Sequence, residues 1–239
     1  MDERSCSRVP VGNTASPFLH SCISSATPRW VQFAAGDSGH YNCRMKAGNW
    51  KTISSELQFA DRNLEVVIDR VQTPGHPNPR CWTIVHRKPA VVIAPMTRDG
   101  KIILIRQERI PIEQAIWEMA SGQIDNHDTD PENIKKVALR ELREETGYEL
   151  ATNGELISLG YFFSSPGFTD ERGYFFLARP VQPCAEGPDW EEGESILDCR
   201  GFTSEEIRRM IAENEIRDAN TLGICATLAA RGLLPVAGK

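Results

Sequence analysis

Apolar and polar positions divide the chain into a short series of elements. Residues 1–46 are rich in Ser, Gly, Pro, Thr and Asn without periodicity, which predicts an irregular N-terminal arm. The character changes from Asn49. Leu64–Thr73 (LEVVIDRVQT) and Cys81–Arg87 (CWTIVHR) have the β-branched and aromatic content of strands, and Pro74–Arg80 between them reads as a turn or loop. These segments predict a small antiparallel sheet at 47–87, ahead of a main domain at 88–239.

Ala90–Thr97 and Lys101–Ile110 flank Arg98-Asp99-Gly100, a tight-turn sequence, and predict a hairpin. Both strands are continuously apolar in the middle, as strands covered on two faces should be. Ile116–Asp125 reads as one strand running into a glycine turn, and Glu155–Ser165 and Arg172–Val181 as two more, joined by Pro166–Glu171. The loop Gln182–Ser195 carries five acids, after which Ile196–Phe202 returns to strand. Ser204–Ile216 predicts an amphipathic helix opening on a capping Ser-Glu-Glu, and Asp218–Leu234 a final, mostly buried helix. Strands interleaved with helices predict an α/β or α+β sandwich.

Asp130–Tyr148 (DPENIKKVALRELREETGY) holds the strongest helix signal. Asp130 is a natural N-cap, Pro131 suits the first helical position, and Gly147 can close the helix in the left-handed region. Ile134, Val137, Ala138 and Leu142 form the stripe to bury. The acids are placed against the helix dipole, because Glu141, Glu144 and Glu145 lie in the last two turns, where cations are favoured. Glu141 and Glu145 lie about 40° apart around the axis, with Glu144 about 60° to the other side of Glu141. Arg140 offsets part of their repulsion. Such a cluster of hard oxygens suits a divalent cation such as magnesium, and a solvated acidic face is the competing reading.

Composition narrows the function classes. With 239 residues, 40% hydrophobic and 25% charged, the chain suits a soluble globular protein with one substantial core and a small second unit. No apolar run approaches the ~18–20 residues of a membrane span, and MDERSCSRVP lacks the apolar core of a secretory signal. Seven scattered cysteines without a CxxC pair indicate reduced thiols and a cytoplasmic location. A net charge of −6 argues against a general nucleic-acid binder, so an anionic substrate needs local arginines or a metal.

With strand, glycine turn, helix and strand in this order, the chain resembles a Nudix hydrolase. The second half of that family's box, G-x5-E-x7-R-E-U-x-E-E-x-G-U with U aliphatic or aromatic, is matched from Arg140 to Tyr148. Glu132 stands at the first-Glu spacing from Arg140, but four extra residues separate it from Gly122. Counted from Gly122, the first-Glu position falls on Asp128. An insertion of about one helical turn keeps the later faces in phase, so the departure bears on Glu132 and not on Glu141 or Glu145. IRQERIPIEQAIWEMASGQID, SSPGFTDE, EEGESI and IRDANT are similar to segments of the family's ADP-ribose diphosphatases.

The resemblance implies a Nudix-type α/β/α sandwich with a mixed sheet, preceded by a small antiparallel β subdomain. It implies hydrolysis of a nucleoside diphosphate sugar, ADP-ribose first among them, to AMP and ribose 5-phosphate, with magnesium as cofactor or manganese as substitute. Other nucleoside diphosphate compounds, such as UDP- or GDP-sugars, flavin adenine dinucleotide or diadenosine polyphosphates, are the alternatives. A non-catalytic ADP-ribose sensor is less favoured, because all box carboxylates are retained. Glu141 and Glu145 become direct metal ligands, Glu144 a third or water-mediated one, and the Ser121 carbonyl a backbone ligand. Glu194 becomes the base with Glu192 second, and Arg140 orients Glu144. Arg109 contacts the diphosphate, Trp82 stacks on adenine with Arg87 assisting, Glu171 shapes the substrate loop and Glu118 backs the site. Arg106 reads as a surface strand residue, and His76, His86 and His127 receive no role. The implied assembly is a homodimer in which one subunit's N-terminal sheet completes its partner's site.

Overall fold

The computed structural model describes residues 50–125, 129–190 and 195–234. The expected arm at 1–46, His127, Asp128, Glu192 and Glu194 lie outside the described residues.

The first sheet contains β1 (Lys51–Ala60), β2 (Leu64–Thr73) and β3 (His76–Arg87), antiparallel in that order. The pattern-based reading misses β1, whose residues are all exposed and so carry no alternation of buried and open positions. The loop expected at Pro74–Arg80 shrinks to a turn at Pro74-Gly75, and β3 starts at His76. Pro77 and Pro79 fall between the ladder pairs Thr73↔His76 and Val71↔Arg80, where the register of β2 and β3 slips, on a strand at the sheet's edge. The free edge of β3 meets the loop after β8, where Val85 N–H donates to the Phe168 carbonyl over 2.8 Å.

The second sheet has seven strands, ordered β10-β5-β4-β9-β8, with β6 on β5 and β7 on β4. These are β4 (Ala90–Thr97), β5 (Ile102–Arg109), β6 (Gln114–Glu118), β7 (Ala120–Gln123), β8 (Tyr148–Phe163), β9 (Arg172–Pro183) and β10 (Ile196–Phe202). β4 and β9 are parallel and the remaining pairs antiparallel, which makes the sheet mixed. The expected hairpin closes its turn, with Gly100 N–H donating to Thr97 O, but β4 and β5 share a single ladder pair, Met96↔Ile102. Beyond it they diverge, and the segment read as one strand from Ile116 splits at Met119: β6 pairs with β5, and β7 with β4. Filling the opened hairpin in this way brings Ser121 and Gly122 under the acid-bearing helix.

That helix is α1, Pro131–Thr146; α2 (Ser204–Ala212) and α3 (Ala219–Ala230) follow later in the chain. Asp130 accepts from Glu132 N–H, Pro131 occupies the first turn, and Gly147 closes the helix at φ 69°. The cap of α2 is Thr203 rather than Ser204, in a reciprocal box with Glu206. Asp218 caps α3.

Alternation along β4 sorts the core into two layers. Val91 and Ile93 join Ile134, Ala138 and Leu142 of α1, while Val92 and Ala94 join Ile207 and Met210 of α2 and Ile224 and Leu228 of α3. Each fully buried aliphatic side chain contributes roughly 1.5–3 kcal/mol. Helices therefore cover both faces of a mixed sheet, the sandwich expected.

Candidate active site

The second half of α1 lies over β7, and its acids are not solvated. Glu141 is 5% exposed and Glu145 only 2%. Ser121 N–H donates to Glu145 Oε2 over 2.7 Å. Gly122 lets the Glu141 carboxylate rest on the strand, because a Cβ at position 122 would stand 2.0 Å from its Cδ. Arg140 spans two acids, with one terminal nitrogen 2.7 Å from Glu144 Oε2 and the other 2.6 Å from Glu141 Oε1. Glu144 is the more open of the three acids.

The helix end also receives the acidic loop. Asp189 N–H donates to the Glu144 carbonyl and Trp190 Nε1–H to the Glu145 carbonyl, both over 2.9 Å. These bonds satisfy carbonyls that a helix C-terminus leaves open. They bring the loop, as far as Trp190, directly onto the acid-bearing turn.

Arg109 and Glu118 form the neighbouring pair on β5 and β6. Arg109 Nε–H lies 3.0 and 3.1 Å from the two Glu118 oxygens, and a second nitrogen of the same edge also donates to Oε2. Burial raises the Glu118 carboxyl above the ordinary carboxylate range, against the opposing pull of Arg109. The bond to Glu118 raises Arg109 in turn, with Glu145 among the charges acting on it. Arg106 is exposed.

A second group gathers where β3 meets the loop between β8 and β9. Arg87 pairs with Glu171 at 3.1 Å, and Ser164 Oγ–H donates to the other Glu171 oxygen at 2.6 Å. Trp82 Nε1–H donates to Gly167 O at 2.9 Å, and His86 Nδ1 meets Asp170 Oδ2 at 2.7 Å. His76 contacts Arg80. Glu132 is exposed in the first turn of α1 and paired with Lys135, a position the helix dipole favours for an acid.

The residues present suit a hard divalent cation. Two buried carboxylates and a more open third share one helix end, and the glycine beneath them leaves room for carboxylate oxygens alone. Among the described residues no three acids, histidines or cysteines converge on one point, and the positive group lying on Glu141 and Glu144 is Arg140.

Some neighbours of these groups escape the sequence pattern. Trp190 is an aromatic in an acid-rich loop, and Asp170 precedes the Glu that the motif emphasises. Gln107 and Asp69 are buried polar residues on strands, with Gln107 Oε1 and Asp69 Oδ1 lacking hydrogen-bond partners. For Gln107 and Asp69 the available signal was a polar residue at a position the strand's alternation assigns to the inside.

A mixed sheet between helices, with a carboxylate cluster at the end of the helix after a glycine turn, defines the class. Residues 86–222 match the NUDIX domain, and the chain belongs to the Nudix hydrolase family. It is 34% identical over 178 residues to the ADP-ribose pyrophosphatase of Bacillus subtilis (strain 168), covering 74% of this chain and 91% of that one. It is also 34% identical over 173 residues to the methanol dehydrogenase activator of Bacillus methanolicus, covering 72% and 88%. A crystal structure of an ADP compounds hydrolase shares the fold with a TM-score of 0.62 at 18% identity, over 77% of this chain and 96% of that one.

Proposed function

We propose that this protein hydrolyses the diphosphate linkage of ADP-ribose, giving AMP and ribose 5-phosphate. The observation that carries the reading is the burial of Glu141 and Glu145 against Gly122 and Ser121. Surface acids would have no reason to sit there, whereas a cation site does. The substrate follows from the relatives, one named an ADP-ribose pyrophosphatase and another an ADP compounds hydrolase.

Glu141 and Glu145 would hold a divalent cation, magnesium by preference with manganese as substitute, with Glu144 and the Ser121 carbonyl completing the protein's share. Once bound, it supplies positive charge to the diphosphate oxygens. Arg140 keeps Glu141 and Glu144 in register before substrate arrives. Arg109 spends one edge of its guanidinium on Glu118 and offers its remaining N–H donors to a phosphate oxygen. Arg87, steadied by Glu171, adds a second cation. Glu194, with Glu192 as the second candidate, takes the proton from the attacking water as the bond to phosphorus forms and the bridging oxygen leaves.

The chain's parts then have separate tasks: 88–239 for catalysis and 47–87 for the nucleoside. The exposed Ile53, Leu57 and Phe59 on β1 support a homodimer formed through the small sheet. Among the described residues no helix is long and apolar enough to cross a membrane. The free thiols of Cys81, Cys184, Cys199 and Cys225 support a reducing, cytoplasmic setting.

A phosphate-release assay coupled to a phosphatase, run over a panel of nucleoside diphosphate compounds with magnesium varied, tests the reading. ADP-ribose should give the highest kcat/KM, and only with the metal present. Faster turnover of a UDP- or GDP-sugar would overturn the substrate, and tight ADP-ribose binding without turnover would make the protein a sensor.

A further inference from the structure

The face of the three-stranded sheet and the loop before β9 enclose a cavity of about 680 Å³, within the range of small-molecule pockets. Its walls are largely apolar and aromatic, with Trp50, Val71, Trp82, Ile84 and Phe168 among them. Of the two acids that line it, Asp170 is exposed and paired with His86, and Asp69 is buried. Asp69, on the middle strand, lines the cavity, is only 8% exposed, and its Oδ1 has no hydrogen-bond partner. In the ladder it lies opposite Trp82 on β3 and Ser55 on β1, so its neighbours across the sheet face the same way.

An unpaired carboxylate oxygen buried among apolar walls is costly, and no bond within the described fold repays it. It is explained by a donor that arrives with a ligand. Trp82 defines what shape that ligand has. Its ring is pinned by the Nε1–H bond to Gly167 O at 2.9 Å while half its surface stays open, so it presents a fixed flat wall. A planar heteroaromatic ring satisfies the wall, and an amino group on its edge satisfies Asp69. Arg80, opposite Val71 on the same face, can donate to a ring nitrogen beside that amino group.

We infer that Asp69 is a specificity-determining residue, accepting from the exocyclic amine of the substrate's base in this cavity and disfavouring bases that carry a carbonyl there. The inference rests on the proposed nucleotide substrate and goes beyond it by naming the group that reads the base. Hypoxanthine, with oxygen in place of the adenine amine, would set oxygen against oxygen at Oδ1.

Titration calorimetry of the full chain with AMP and with IMP tests this without relying on turnover. The wild-type protein should bind AMP on the order of tenfold more tightly than IMP, the size of one hydrogen bond to a charged group. Asp69→Asn keeps the shape and offers an N–H that can face a carbonyl, so the preference should vanish or invert. Trp82→Ala, at an open position, should weaken both nucleotides together. A preference unchanged in Asp69→Asn, no preference in the wild type, or AMP affinity untouched by Trp82→Ala would each overturn the inference. If Asp69 governs AMP binding but ADP-ribose is not hydrolysed, the proposed reaction fails and the pocket stands. If ADP-ribose is hydrolysed with an Asp69-independent preference, the pocket alone fails.

Discussion

Gly122 and Glu141 meet so closely that the strand can carry no side chain at that point. A β-carbon on residue 122 would stand 2.0 Å from the Glu141 carboxyl carbon and 2.2 Å from Oε1. The glycine that begins the family's box is therefore a spacing device between β7 and α1. It explains how four extra residues ahead of Glu132 are tolerated, because the contact that aligns helix and strand joins residues on either side of them.

Gly122→Ala should displace Glu141 or push α1 from the sheet. Overpacking of this kind costs typically ~1–3 kcal/mol. Thermal unfolding should show that loss, and turnover should fall more steeply than stability because the displaced atom is a carboxylate of the site. A variant with wild-type stability and kcat would refute the contact.

Glu145→Gln tests the cluster itself. The amide keeps the size of the side chain and an oxygen to accept from Ser121 N–H, so folding should survive. What disappears is a full negative charge among the cation's expected ligands. Turnover of ADP-ribose should be abolished at any magnesium concentration while circular dichroism stays unchanged. Most of the activity surviving would remove Glu145 from the metal site.

Glu118 gives a pH prediction whose sign follows from burial. Its carboxyl is raised in the fold, chiefly by desolvation, so the native state binds that proton more readily than the unfolded chain. The stabilising effect is full below the unfolded carboxylate pKa, near 4.5, and is lost as pH rises through the higher folded value. Glu118→Gln cannot titrate. Its melting temperature minus that of the wild type should therefore become more positive between pH 4 and pH 7. A difference that is flat, or moves the other way, would show that Arg109 outweighs burial.

Legibility in the sequence followed how local each signal was. Both ends of α1 could be read because Asp130, Pro131 and Gly147 act on their own backbone. The phase of Glu141 and Glu145 was readable from helix geometry, but their burial was not, since it depends on Gly122 and Ser121 from another strand. The break at Met119 was unreadable for the same reason: β6 and β7 are separated by their choice of partners, β5 and β4. β1 gave only a broken alternation, Ile53, Leu57 and Phe59 interrupted by Ser55, and none of it is buried. Asp69 carries only a weak signal, a polar residue at an inward position of β2, because its setting depends on Trp82 and Ser55 across the ladder.

Thr203 shows how small such a misreading can be. The hydroxyl accepts from Glu206 N–H, and the Glu206 carboxylate accepts from Thr203 N–H, so the box sits one residue before the Ser-Glu-Glu that suggested it. Thr203→Ala should cost about 1 kcal/mol, and Ser204→Ala much less. Chemical denaturation of the two variants separates them, and equal losses would return the cap to Ser204.

Cation binding should be visible without any substrate. Glu141, Glu144 and Glu145 crowd a helix end whose dipole already disfavours anions, and Arg140 neutralises only part of that charge. An ion that binds the folded site and not the unfolded chain adds stability by mass action, ~2.7 kcal/mol at a hundred times its dissociation constant. Raising magnesium from a chelated baseline should therefore raise the melting temperature of the wild-type protein in a saturable way. In Glu145→Gln the same titration should give a much smaller shift, because a charged ligand is missing. In Glu132→Gln it should match the wild type, since that residue is exposed and paired with Lys135 at the far end of α1. A shift of equal size in all three proteins would mean that magnesium acts elsewhere on the chain, and the acid cluster would lose its assignment as the cation site.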